Sequence, residues 1–165
     1  MKKWICCLLT ALFVVSFSGC QKEAPAQEGP AFYYCATDVS FSMGSKTILP
    51  ECRSDAQSGT LESLLSLYLD GPTSEQLRSP FPNGLRVTDA YAENETLYIQ
   101  LNDTFADLTG LELTMACSCL CLTGLAISDA NTVVISAENS LLDGQKSITM
   151  NVDTLLLLDT VLEGE

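Results

Sequence analysis

The chain has 165 residues, 47% of them apolar, and sets 21 acidic side chains against eight basic ones for a net charge of −13, with eight cysteines and no histidine. That balance excludes nucleic acid and anionic lipid headgroups as partners, because counterion release needs clustered Lys and Arg. The lack of histidine removes the usual general base and the commonest metal ligand, while the apolar fraction suffices for the core of one domain.

The chain opens with Lys2 and Lys3, an apolar run from Trp4 to Phe17, and then Ser18, Gly19 and Cys20. A charged start, an apolar stretch and small residues before a cysteine predict a signal peptide over residues 1–19, similar to a bacterial lipobox apart from Phe17, which stands where Leu is usual. The run is shorter than the ~20 residues of a spanning helix. The expectation is cleavage before Cys20, lipid attachment at Cys20, and a domain held on the extracytoplasmic face of the cell membrane by that lipid. Loss of Lys2 and Lys3 leaves six basic residues against 21 acidic ones, a net −15, which reads as solubility on an outer face. Residues 21–30 hold no aliphatic side chain larger than Ala and read as a tether, roughly 30 Å long when extended. With Cys20 they form the 20–30 segment, and 31–165 is expected to be a single domain.

Phe32 to Ala36 and Lys46 to Pro50 are rich in strand formers and read as two neighbouring strands, Pro50 favouring an edge. Leu61, Leu64, Leu65 and Tyr68 recur at helical spacing behind a Thr60 cap, and Asp70, Gly71 and Pro72 end the helix. Pro80, Pro82, Asn83 and Gly84 mark a loop. Leu85, Val87 and Asp89 are expected to face one way, and Leu97, Ile99 and Leu101 form a cleaner alternation across a turn at Glu93 and Asn94. Leu108 to Ile127 is apolar nearly all round, a helix buried on more than one side or facing a partner. Thr132 to Ile135 is a strand and Ser147 to Val152 a weaker one, while Thr154 to Leu162 reads equally as strand or helix. The order predicts an α+β fold, a small mixed β-sheet with two main helices packed on one face.

Several of these stretches together resemble the GerMN domain of sporulation and germination lipoproteins. They are Leu49 and Pro50 with Arg53, the run from Leu64 and Leu65 to Asp70, Gly71 and Pro72, the Phe81 to Gly84 loop, the strand Leu97 to Leu101, and Thr123 followed by Thr132 to Ile135. The resemblance spans residues 31–139. It implies a compact module, similar to ring-building domains, that takes part in spore formation or germination through protein contacts.

Chemistry is sparse. Cys117, Cys119 and Cys121 fall in the second helix, where Cys117 and Cys121 share a face and Cys119 sits about 200° away, so the three cannot close one tetrahedral site and read as small buried residues. Five cysteines, these and Cys35 and Cys52, cannot all pair internally; a bridge between Cys35 and Cys52 across the first two strands is one arrangement. Lys46 and Lys146 have no motif around them, and Glu93, Glu95, Asp103 and Asp107 fall in turns as solvated charge. Arg53, with Arg78 and Arg86, either binds a ligand carboxylate or pairs with one of the acids.

No catalytic, cofactor-binding or metal-binding residue is therefore expected, and no cofactor; lipid attachment at Cys20 is the one site. The function expected is a non-enzymatic, membrane-tethered interaction module with a protein partner or self-association at the envelope. The second helix, through Leu111, Leu113, Met115, Cys117, Leu120 and Leu122, or the strand edge beside it, would be the contact surface unless the tail covers it. A lipoprotein binding a small solute or peptidoglycan fragment is the alternative, and a thiol-dependent envelope enzyme a third.

Overall fold

The computed structural model describes residues 29–38, 47–56 and 59–155. The signal peptide, Cys20, Lys46, most of the tether and the tail beyond Leu155 lie outside the described residues. Nine elements follow in chain order: β1 (Ala31–Ala36), β2 (Ile48–Cys52), α1 (Leu61–Leu69), β3 (Leu77–Arg78), β4 (Val87–Glu93), β5 (Thr96–Leu101), α2 (Gly110–Ile127), β6 (Thr132–Ala137) and β7 (Ser147–Met150), with 3-10 turns at Ser54–Ala56, Asp103–Asp107 and Val152–Thr154.

The α+β class holds, with the strands divided between two sheets. One is antiparallel in the order β2-β1-β3; the other is mixed in the order β4-β5-β6-β7, with β5 and β6 parallel. Parallel neighbours need a crossover, and α2 supplies it. Along β5 and β6 the burial alternates strictly, so Leu97, Ile99, Leu101, Val133, Ile135 and Ala137 form one inner face. That face carries both helices, α1 over β4 and α2 over β6 and β7.

The first helix begins and ends as its residues require. Thr60 Oγ1 accepts the Ser63 N–H at 3.3 Å, and Gly71 takes φ +100°, a left-handed conformation that favours glycine, before Pro72 prevents continuation. The hairpin between β4 and β5 turns on Asn94 and Glu95, one residue later than expected, both at positive φ as a two-residue type I′ turn demands. Asn131 holds this turn by donating its backbone N–H to the Glu95 carbonyl at 2.9 Å and its side-chain amide to the Glu95 carboxylate at 2.9 Å.

Asp89 does not share a face with Leu85. The pairing register slips between Val87 and Asp89, which shifts the alternation by one residue, so that Ala90 turns inward opposite Ile99 and Asp89 is exposed. Cys35 and Cys52 are not neighbours either: Cys35 lies opposite Ile48 and Cys52 opposite Ala31.

Among the described residues, the remainder of α2 is covered by the first strand. Pro50 sits opposite Tyr33 on β2, an edge strand as its missing N–H requires, so the backbone groups of Tyr33 point the other way. On that side β3 reaches only Cys35 and Ala36. The gap is closed by side chains: the Tyr33 N–H donates to Thr123 Oγ1 of α2 at 2.9 Å, and the Tyr68 hydroxyl of α1 donates to the Tyr33 carbonyl at 2.8 Å. Helix α2 thus lies along the edge of β1 where a strand would otherwise pair. Leu113, Cys117 and Leu120 are buried, and of the expected apolar strip only Leu111 is strongly exposed, at 76%.

Candidate functional site

Tyr68 is the hub of the first sheet. Its ring meets Phe32, Tyr34 and Phe81 at centroid distances of 5.5, 4.9 and 5.3 Å, and the Tyr34 hydroxyl donates to the Tyr68 carbonyl at 2.9 Å. Burial raises both phenols, so they remain neutral donors.

Arg53 is committed to structure. Its guanidinium donates to both carboxylate oxygens of Asp55 at 2.8 and 2.7 Å and to the Gly71 carbonyl at 3.3 Å, with Glu51 at 3.9 Å. Glu51 in turn accepts from the Thr73 and Ser74 backbone N–H groups and from the Thr73 hydroxyl. Glu51 of β2 and Arg53 just beyond it therefore clamp the loop after α1, and three Arg53 donors are already engaged in these contacts. Arg78 lies elsewhere, on a surface cleft, and the Arg86 backbone N–H donates to Asn102.

Open clefts indent the surface of the described residues. The first, about 340 Å³, lies between the 78–82 segment and the start of α2, with Cys35, Arg78, Phe81, Leu111, Glu112 and Met115 among its walls. A second of about 330 Å³ is lined by Leu113, Cys117, Leu142 and Met150, and a third of about 390 Å³ by the β4–β5 turn and Ser128 to Ala130. No three His, Cys, Asp or Glu side chains converge on a metal-sized site among the described residues. Glu93, Glu95 and Asp107 are exposed; Asp103 is half-buried and accepts both the backbone and side-chain N–H groups of Asn139 at 2.8 and 3.1 Å, which hold its carboxyl below the usual range. Lys146 is exposed.

The cysteines separate as helical geometry requires. Cys117 and Cys121 sit in the main core, where burial pushes their thiols up to about 12 and about 11. Cys119 turns away from them toward β1, and its Sγ lies 4.0 Å from Cys35 Sγ in a separate small cluster with Ile48. Hydrogen bonding between the two sulfurs holds Cys35 below the usual thiol range, against the effect of burial and with help from the Arg78 charge, while the same pairing and burial raise Cys119. Sequence reasoning missed this pair. The residues stand 84 apart, and nothing in the local pattern of either points to the other.

On the opposite side of the molecule, the outer face of the mixed sheet carries Tyr91 of β4 and Tyr98 of β5. These directly opposed residues have their rings stacked at 4.9 Å and 15°, and Tyr91 is 47% exposed.

Comparison with curated proteins gives no match. Among solved structures the fold is similar to the tandem GerMN domains of the sporulation protein GerM from Bacillus subtilis, with a TM-score of 0.52 at 13% identity over 73% of this chain. The matched region is 43% of that longer chain, so the likeness concerns the fold alone. A family model, Germane, described as sporulation and spore germination, matches residues 32–143, from the first residues of β1 to the turn after β6. That stretch contains both helices, the first sheet but for Ala31, and all but the last strand of the second; the chain belongs to the Germane family of sporulation and spore germination domains.

Proposed function

We propose that this chain is a non-enzymatic module, tethered to the extracytoplasmic face of the cell membrane by lipid on Cys20, that serves spore formation or germination by binding another protein of the envelope or a second copy of itself. Family membership supports the process, and the sequence from Lys2 to Cys20 supports the tether. The observation that carries the contact reading is the stacked pair Tyr91 and Tyr98. Two large rings are held rigid on an open sheet face at small entropic cost, the kind of anchor that dominates interface energies. Much of helix α2 is taken up by β1, and we therefore assign the contact surface to the outer sheet face and the β4 edge. Asp89 and Glu93 on β4 place charge along that edge and oppose indiscriminate strand pairing.

Capture of a small solute or peptidoglycan fragment is the other reading. The cleft between Arg78 and Glu112 offers one positive and one negative group beside an apolar floor, but it is open rather than enclosing.

Two measurements test the proposal. A photo-crosslinking residue at position 91, expressed in the native envelope, is expected to capture a discrete partner band that one at Lys146 does not. Cys20→Ala protein is expected to leave the membrane fraction; a variant that stays in the pellet through high-salt washing would refute the lipid tether, and bands of equal strength from both positions would refute the contact surface.

A further inference from the structure

We propose that Cys35 and Cys119 are a reversible redox pair, oxidised to an intramolecular disulfide by exchange with a low-molecular-weight disulfide that enters the cleft beside Arg78. The two sulfurs are already in van der Waals contact at 4.0 Å, each buried, one on the central strand of the first sheet and one on the helix that lies along it. A disulfide would close that separation to ~2 Å. None of the other three described cysteines has a sulfur contact of this kind; Cys52 stands at the far end of β2, and Cys117 and Cys121 face the main core.

The roles of the two differ by position. Cys35 forms part of the wall of the cleft of about 340 Å³, together with Arg78, Phe81 and Met115, whereas Cys119 lies behind it with no exposed surface. A reagent from solvent therefore meets Cys35 first. Arg78 on the same cleft lends positive charge and the Cys119 sulfur stands within hydrogen-bond reach, so Cys35 is also the sulfur that more readily becomes the thiolate, the form that attacks.

The exchange balances in two steps. The Cys35 thiolate attacks one sulfur of the incoming disulfide, whose S–S bond breaks; a mixed disulfide forms on Cys35, and the released thiolate takes up a proton. Cys119 then gives up its proton, attacks the Cys35 sulfur and expels the second half of the reagent, which leaves as a thiol. Two protein thiols become one disulfide while one external disulfide becomes two thiols, and external thiol in excess reverses both steps. The resulting bond would join β1 to α2 across 84 positions, the place where the first sheet is otherwise held by single side-chain hydrogen bonds.

The test exposes the full chain in detergent to cystine, blocks remaining thiols with iodoacetamide after denaturation, and maps the peptides. The expected result is a Cys35–Cys119 linked peptide, a mass lowered by two hydrogens, a Tm raised on the order of 10 °C, and full reversal by dithiothreitol. Linkage of Cys35 to any other cysteine, or both thiols still open to alkylation, overturns the proposal. Because folding of single variants is not guaranteed, a second arm keeps the roles testable: folded Cys119→Ala should trap one half of cystine on Cys35, and folded Cys35→Ala should leave Cys119 unmodified. An adduct on Cys52 with none on Cys35 in the first variant, or rapid modification of Cys119 in the second, would equally overturn it.

Discussion

The two sheets reach the same compactness by different chemistry. In the mixed sheet, cohesion comes from regular apolar alternation, with Leu97, Ile99, Leu101, Val133 and Ile135 pressed against the helices and Gly124 of α2 so close to β5 that an added Cβ would stand 2.8 Å from Leu97 Cδ2. The three-stranded sheet has one aromatic cluster around Tyr68, but it is fixed in position by discrete polar ties: Thr123 and Tyr68 to the Tyr33 backbone, Tyr34 to the Tyr68 carbonyl, Arg53 and Glu51 to the loop after α1. Burial of apolar area is tolerant of small errors in placement, whereas a buried hydrogen bond is lost entirely if one partner is removed. Truncation should therefore be costly in the mixed sheet, and isosteric loss of a hydroxyl should be costly in the three-stranded one.

Four substitutions would break or sharpen that contrast, in descending order of effect. Ile135→Ala, at a fully buried position of β6, is expected to cost about 2–5 kcal/mol in denaturant unfolding, through lost transfer energy and a residual cavity. Thr123→Val keeps the side-chain shape but strands the Tyr33 N–H, an expected loss of about 1–3 kcal/mol. If Thr123→Val proves as stable as the parent, the polar ties are incidental and the contrast between the sheets fails. Tyr68→Phe removes the donor to the Tyr33 carbonyl while leaving the ring contacts, at a cost of about 0.5–1.5 kcal/mol; hydrogen exchange at β1 amides should accelerate before global unfolding does.

The smallest effect concerns a polar tie in the second sheet, from Asp103 to Asn139 beyond β6. The N–H groups of Asn139 hold the folded Asp103 carboxyl below its unfolded value, so its contribution is present above the ordinary aspartate pKa of about 3.9 and is lost as pH falls through the lower folded value. The Tm deficit of Asp103→Ala should accordingly be steady from pH 7 down to about 4 and close below it. A deficit that persists unchanged into strong acid would show that the carboxylate charge is not what matters there.

The same contrast governs how far the fold could be read from residues alone. The alternation Leu97, Ile99, Leu101 and the β-branched run from Thr132 announce the mixed sheet because burial on one face imposes a period of two, and Thr60, Gly71 and Pro72 announce the ends of α1 because their backbone conformations are restrictive. Leu77 and Arg78 make a strand too short to have a period. The division into two sheets was not legible, since alternation says which face is buried and not which strand is the neighbour. The slip between Val87 and Asp89 carries no signature in residue type. For α2, an all-round apolar surface correctly implied cover on more than one side, but that the cover includes the edge of β1, fastened by Thr123, does not follow from periodicity. The Cys35 and Cys119 contact was hidden for the same reason: proximity there is a product of tertiary docking.

The bond between Tyr33 and Thr123 spans 90 positions, and it sets an order of events during synthesis. A chain made from its N-terminus at ~5–20 residues per second presents β1 roughly 5–20 s before Thr123 exists to meet it. Throughout that interval β2 can pair along one side of the strand, while on the other only β3 and Tyr68 are at hand, so the Tyr33 N–H is left unsatisfied on an edge rich in aromatic residues. Folding is thus gated by the late arrival of α2, a high contact order concentrated in one strand, and the first sheet is expected to be the last part to become protected and the part most exposed to wrong pairing on the way.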